Sequence, residues 1–217
     1  MKITNFSTSC SLMSQYMAEL RDVDVQKDSM RFRRNLERIG EIMAYEISRD
    51  LAYRRETIDT PLSPAGVDVI DDQVVLATIF RAGLPFHQGF LNFFDKAENA
   101  FVSAYRKYKE KGDFEVCIEY LASPRLDGKT LILCDPMLAT GISMEMSWRA
   151  LLTKGTPKHV HVASVVASEQ AVKYIEDHFP VESTSLWIAA VDPSLNAHSY
   201  IVPGLGDAGD LAFGTKD

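Results

Sequence analysis

Two short runs constrain this chain most: Val74-Val75-Leu76-Ala77-Thr78-Ile79-Phe80 and Thr130-Leu131-Ile132-Leu133-Cys134. Neither alternates between apolar and polar, as a strand with one wet face would. Uncharged runs of this length, bounded by turn residues, predict strands buried on both faces. Such strands need cover on each side, and the rest of the sequence supplies it. From Met30 to Arg54, Phe32, Leu36, Ile39, Met43, Ile47 and Leu51 recur in steps of three and four, forming one stripe of a helix. The opposite side carries Arg33, Arg34, Glu37, Arg38, Glu41 and Arg49 and is expected to be a solvated or subunit-facing surface. Pro61, Pro64 and Gly66 mark a loop. A helix-like stretch runs through Phe90 and Phe94. Short strands are predicted over Phe101–Tyr105 and Phe114–Leu121, around a charged turn at Lys107–Asp113. Met144–Leu152 reads as an amphipathic helix closed by Gly155 and Pro157. Val160–Ala167 reads as a strand, Glu169–Phe179 as a helix capped by Ser168, and Ser185–Val191 as a strand. This order predicts an α/β fold with a parallel β-sheet core flanked by helices. Ligands bind such sheets at the carboxyl ends of the strands, so the residues just after each strand are the ones to search.

Composition excludes other classes. The 217 residues are 46% hydrophobic and 24% charged, too apolar for a disordered chain. No apolar run approaches the roughly 20 residues of a membrane span, and Met1-Lys2-Ile3-Thr4-Asn5 predicts no secretion signal. A cytoplasmic chain with no membrane partner is expected. With 23 Lys plus Arg against 30 Asp plus Glu, the formal charge is -7, which disfavours nucleic acid as a partner. Cys10, Cys117 and Cys134 fit no metal or redox spacing. Cys117 and Cys134 read as buried thiols. The five histidines are scattered; His159 and His161 share one strand face and read as structural, and Trp148 and Trp187 as core.

The most informative turn is Asp135-Pro136-Met137-Leu138-Ala139-Thr140-Gly141-Ile142-Ser143. A buried strand delivers an acid, then a small-residue loop, then a helix start. Loop amides and a helix N-terminus form a natural phosphate site. Thr140 and Ser143 add hydroxyls, and Gly141 lets the backbone approach an anion. No Gly-Lys-Ser/Thr follows, so this is not a nucleoside-triphosphate loop, and three spaced glycines are absent. On spacing alone, an ordinary turn with a Ser N-cap fits equally well.

At these residues the chain resembles the uracil phosphoribosyltransferases, whose loop usually reads Asp-Pro-Met-Leu-Ala-Thr-Gly-Gly-Ser. Ile142 replaces the second Gly; because Ile avoids positive φ, it must sit in an ordinary conformation. Phe80-Arg81-Ala82-Gly83-Leu84 is similar to that family's diphosphate loop, and Tyr200-Ile201-Val202-Pro203-Gly204-Leu205-Gly206-Asp207-Ala208-Gly209-Asp210 to its uracil-binding segment. Phe32-Arg33 and Phe213-Gly214-Thr215-Lys216 extend the match over most of the chain.

The resemblance implies one phosphoribosyltransferase domain over residues 1–217 of the type I fold, with a hairpin arm near 99–122 and a base-binding hood near 192–217. It implies transfer of phosphoribose from phosphoribosyl diphosphate to uracil N1, giving UMP and diphosphate. Arg81, Arg106, Asp135 and Asp207 are implied as catalytic. Phosphoribosyl diphosphate would meet Arg81, Arg106, Asp207 and the loop residues Asp135, Pro136, Met137, Leu138, Ala139, Thr140, Gly141, Ile142 and Ser143. Uracil would meet Ile201, Gly206, Asp207 and Ala208. Mg2+ is implied through the substrate diphosphate and water, without direct protein ligands. Strain is implied at the Arg81–Ala82 peptide. After Arg106 the usual Arg-Asn-Glu-Glu-Thr is missing, so only that Arg carries over. Lys107, Lys109 and Lys111 make the segment basic, as a solvated turn or as an attractor for a polyanion. A homodimer or higher homo-oligomer is implied. Some relatives are activated by a purine nucleotide such as GTP, for which no signature can be isolated. Two rivals are transfer to a purine, opposed by the tail, and an RNA-binding regulator that senses UMP, opposed by the charge.

Overall fold

The computed structural model describes residues 1–108 and 114–216, without the side chains of 104–108 and 114–117. In chain order its elements begin with β1 (Lys2–Asn5), α1 (Leu12–Arg21), α2 (Ser29–Ser48), β2 (Tyr53–Asp59), β3 (Pro64–Ile70), β4 (Val74–Phe80) and α3 (Gly83–Phe93). There follow β5 (Glu98–Tyr108), β6 (Phe114–Ala122), β7 (Thr130–Cys134), β8 (Met137–Leu138), α4 (Ile142–Leu152), β9 (His159–Ser168) and α5 (Glu169–His178). The chain closes with β10 (Thr184–Asp192), β11 (Ser194–Leu195), β12 (Ile201–Val202) and α6 (Ala208–Phe213).

The main sheet has the order β1-β10-β9-β7-β4-β5-β6, with β8 added beside β9. Every pairing in it is parallel except β5 with β6. The two apolar runs are the neighbours β4 and β7, in the register Val74↔Thr130 to Thr78↔Cys134. Their alternate residues feed two cores. Val74, Leu76, Ile132 and Cys134 pack with Phe32, Leu36, Ile39, Met43, Phe86 and Phe90 from α2 and α3. Val75, Ala77, Ile79, Leu131 and Leu133 pack with Met144, Trp148, Leu151, Ala171 and Ile175 from α4 and α5. A strand that serves two cores cannot alternate, which is why these runs show no polar period. Trp148 and Trp187 are both buried. The His161 ring accepts the Trp187 indole N–H at 3.1 Å, and His159 meets Ser185 at 2.9 Å, so both histidines are structural.

Several expectations need correction. The long helix ends at Ser48, not Arg54. Leu51 still reaches the core from the turn beyond, while Tyr53 and Arg54 open the β2–β3 hairpin. That hairpin is largely exposed, so it carries no buried stripe for a pattern to reveal. Its turn is residues 60–63, where Thr60 accepts the N–H groups of Leu62 and Ser63. Pro64 and Gly66 belong to β3; Pro64, as its first residue, costs no ladder bond. The charged face of α2 is not simply solvated. Arg33 donates to the Ala212 carbonyl at 2.6 Å, and Asn92 of α3 bridges Glu37 and Glu41 at 2.8 Å. The charged turn is shorter than expected, because β5 runs on through Lys107 and Tyr108; residues 109–113, with Lys109 and Lys111, lie outside the described residues. So does the side chain of Cys117.

Helices α2 and α3 cross with glycines at the contact. A Cβ on Gly40 would lie 2.4 Å from the Phe86 carbonyl oxygen, and one on Gly89 would lie 2.1 Å from that of Glu37. Both atoms are backbone and cannot swing away. Alanine normally favours a helix by about 1 kcal/mol over glycine. Here Gly40→Ala is expected to destabilise the fold by about 1–3 kcal/mol in urea unfolding; a stabilised variant would contradict the close crossing.

Candidate functional site

The carboxyl ends of β4, β7, β9 and β10 stand side by side; Arg81 and Asp135 follow β4 and β7, and Ser168 and Asp192 end β9 and β10. After β4 come Arg81, Ala82 and Gly83, where α3 begins. A Cβ on Gly83 would strike the Thr78 hydroxyl at 2.1 Å and sit 3.5 Å from the Cys134 carbonyl. Glycine therefore lets the β4 turn press against the end of β7. The Arg81–Ala82 peptide is not cis; the non-proline cis peptide in this turn is Phe80–Arg81.

Asp135 follows β7. Its N–H donates to Ala163 of β9 at 3.1 Å, while its carboxylate receives only a 3.4 Å bond from the Met137 N–H. Burial pushes the carboxyl up to about 7, against a weak downward pull from Met137. The chain then hugs β9: Pro136 accepts from Val166 at 2.9 Å, and Met137 and Leu138 form β8. Ser168, the cap of α5, also donates to the Ala139 carbonyl at 2.6 Å. Gly141 turns the chain with φ 85° and precedes α4 without supplying a side-chain cap. Thr140 accepts the Ile142 N–H only at 3.4 Å. Ser143 lies inside the helix, so the turn is not a Ser-capped one. Ile142 is the first helical residue and keeps an ordinary backbone, as its side chain requires. An uncapped helix start beside a glycine turn presents N–H groups to an anion.

The tail closes over this edge. Arg21 of α1 grips Asp192 of β10 with two bonds of 2.8 and 2.9 Å. The same pair holds Gly204: its N–H donates to Asp192 at 2.8 Å, and its carbonyl accepts from Arg21 at 3.0 Å. Ile201, in β12 opposite Leu195, is buried, as are Leu205 and Ala208. They join one core with Ala82, Met137 and Ala139 from the two loops. Gly206 is exposed, with φ 91°. Asp207 caps α6 by accepting the Asp210 N–H at 3.0 Å. Arg81 donates to Asp210 at 2.9 Å and to the Gly214 carbonyl at 3.2 Å. Arg81 and Asp207 also flank Gly209, whose Cβ position lies within 3.5 Å of both.

The structure thus sets Arg81 against the 207–214 tail and places Asp135 to Ser143 after the neighbouring strand, with Ile201 and Ala208 in the same core cluster as Ala82, Met137 and Ala139; Gly206 lies exposed in the tail. Arg106 is in β5 opposite Val116, but its side chain lies outside the described residues. Sequence reasoning missed Arg21, Asp192 and Asp210. Asp210 stood inside the matched tail without a role, whereas Arg21 had no local signal at all. Among the described residues, no three His, Cys, Asp or Glu side chains converge as a metal cage. The donor set suits a Mg2+ ion carried mainly by ligand oxygens, because Asp135 is a half-buried, under-bonded carboxylate beside the open helix start.

Fold and site together define a class. A hypoxanthine phosphoribosyltransferase from Staphylococcus aureus matches with a TM-score of 0.50 at 12% identity, over 85% of this chain and 83% of that one. That likeness gives the fold, the type I phosphoribosyltransferase architecture. The AQ2163 protein from Aquifex aeolicus is nearer, with TM-score 0.86 and 29% identity over 98% of both chains. The family model for uracil phosphoribosyltransferase matches residues 7–215. A uracil phosphoribosyltransferase from Porphyromonas gingivalis is 58% identical over 216 residues, covering 100% of both chains. The chain therefore belongs to the uracil phosphoribosyltransferase family.

The Asp135 shift has a stability consequence. Its folded pKa of about 7 exceeds the unfolded value of about 3.9. Between these limits the native state binds more protons than the unfolded state, so stability falls as pH rises through that window. Asp135→Asn is expected to stabilise the protein by about 1–3 kcal/mol at pH 8 and hardly at all at pH 4. Melting curves at the two pH values check this, and an equal shift at both would contradict it.

Proposed function

We propose that this chain transfers phosphoribose from phosphoribosyl diphosphate to uracil N1, yielding UMP and diphosphate. The observation that supports this most is the uncapped start of α4 behind Gly141, set beside Asp135 and facing a clamped tail. In this reading the amides of Ala139 to Ser143, with the Thr140 and Ser143 hydroxyls, hold the 5′-phosphate. Pro136, Met137 and Leu138 set the path of the loop. Asp135 holds the ribose hydroxyls. Arg81 exchanges Asp210 for the diphosphate, with Arg106 closing from the 99–122 arm. The transition state resembles an oxocarbenium ion, so charge gathers on the departing diphosphate and fixed cations lower the barrier. When bound, Mg2+ adds positive charge to that leaving group. Asp135 and Asp207 orient it through water. Backbone groups of Ile201, Gly206 and Ala208 read the uracil edge in a hood formed by 192–217, where unpaired polar groups would reject cytosine.

The reading also takes residues 1–217 as one domain, in the cytoplasm, assembled as a homodimer or higher homo-oligomer. Exposed Ile58, Leu62 and Ile70 on the β2–β3 hairpin offer apolar surface for assembly.

Purified protein with Mg2+, uracil and phosphoribosyl diphosphate is expected to release UMP. Faster turnover of hypoxanthine would overturn the base assignment, and salt-sensitive RNA binding without turnover would replace enzyme with regulator. Arg81→Ala should lower kcat/KM by about 100-fold or more. Its melting temperature should move by only a few degrees, because a half-exposed ion pair such as Arg81–Asp210 contributes about 1 kcal/mol or less. Asp207→Asn keeps a good helix cap, so it should fold normally and lose activity; near-normal kinetics would remove Asp207 from the site.

A further inference from the structure

The α4–α5 corner carries a device that the site as described does not use. Gly141 is buried, and it is the one residue of the 135–143 turn with positive φ. Ile142 leaves no second glycine beside it. A Cβ at 141 would lie 2.6 Å from Cδ1 and 3.1 Å from Cγ of Tyr174 in α5, so the tyrosine ring fills the space that only glycine leaves open. That ring is held on two further sides. His178 stacks on it with centroids 3.8 Å apart and planes 13° apart. Its hydroxyl donates to Glu145 Oε2 at 2.5 Å. Glu145 sits in the first turn of α4 and is buried; its other oxygen accepts from Arg149 Nε at 2.8 Å. Burial alone would raise the Glu145 carboxyl, but these two donors outweigh it and keep it below the usual range.

A buried anion in the first turn favours the helix dipole, yet it would oppose an anion bound at the same N-terminus. Tyr174 and Arg149 occupy both carboxylate oxygens and turn that charge into a fixed anchor. The anchor ties α4 to α5 beside the loop's one positive-φ residue.

Resting on the phosphate role proposed for this loop, we propose that Tyr174 is a positioning residue: it braces Gly141 and so sets the loop amides for the 5′-phosphate. The effect falls on binding of the phosphorylated substrate, not on the bond-making step. Steady-state kinetics of the full-length enzyme tests it. Tyr174→Ala should raise KM for phosphoribosyl diphosphate by about 10-fold or more, with kcat within about 2-fold. KM for uracil should stay unchanged. Tyr174→Phe keeps the ring over Gly141 and should restore KM to within about 3-fold of the parent. Tyr174→Leu serves as a second truncation should the alanine variant fail to fold, with the same KM rise expected. A merely structural role would lower the active fraction and hence kcat, leaving KM alone, and that result would overturn the proposal. Gly141→Ala separates the two levels. If it raises KM while the Tyr174 truncations do not, the brace is wrong and the phosphate site stands. If neither moves KM, the phosphate role of the loop falls and the brace with it.

Discussion

A strand buried on both faces has no place for a charged group except at its ends. That constraint organises this molecule. β4 and β7 lie side by side in the sheet and divide their side chains between two cores, so Arg81 and Asp135 are expelled together at the carboxyl edge. Ser168 and Asp192 mark the ends of β9 and β10 on that edge. Parallel strands make the arrangement additive, because each contributes its end to the same side. Gly83 then allows the β4 turn to settle against β7. The candidate site is thus a by-product of core formation, collected where apolar runs stop.

The tail meets a different requirement. β11, β12 and α6 are too short to hold themselves in place, so they borrow stability from the body. Asp192 ends a core strand, and its buried carboxylate takes a bidentate guanidinium from α1 together with the Gly204 N–H. A buried charge missing one partner is costly, by about 3–5 kcal/mol when a pair is broken, so this three-way contact tolerates little displacement. Arg33 fastens the far end of α6 to α2. Between those two fixed points lie Gly206, Asp207 and Ala208, of which Ala208 alone joins the core.

How much of this could be read from residues depended on range. β4, β7, β9, β10 and α5 were legible because burial and capping leave local marks: uncharged runs, a 3.6-residue stripe, Ser168 before a helix. The α4 turn was legible as strand–acid–glycine–helix, and Ile142 correctly announced an ordinary backbone there. β1 was not, since Lys2-Ile3-Thr4-Asn5 becomes a strand only by pairing with β10. β2 and β3 were missed because an exposed hairpin leaves only a weak alternation, with Ala65, Val67 and Val69 no more than half-buried. Arg21 was invisible for the same physical reason that makes it effective: its partner Asp192 is 171 residues away, and no local pattern encodes such a contact. The charged face of α2 misled in the opposite sense. Its polarity suggested water or a subunit contact, whereas Arg33, Glu37 and Glu41 find partners within the chain, on α6 and α3.

A chain of formal charge -7 that takes a polyanion must arrange its cations so that they are available without being left bare. Arg81 solves this by pairing with Asp210 and the Gly214 carbonyl. Both Arg81 and Asp210 keep about a third of their side-chain surface in water, so solvent screens the pair and holds its strength to about 1 kcal/mol or less. On the proposed reading, a diphosphate would offer the same guanidinium a bidentate, doubly charged partner, and the exchange would favour the ligand. Asp135 is the mirror case. Its carboxyl is half-buried and nearly unbonded, pushed up to about 7, and on the proposed reading sugar hydroxyls and a cation would relieve it. One group is weakly satisfied and the other poorly satisfied, and the substrate is complementary to both. On that reading, selectivity for a cation-loaded, phosphorylated sugar would follow from that pairing of deficits, whereas a neutral nucleoside would answer only the second.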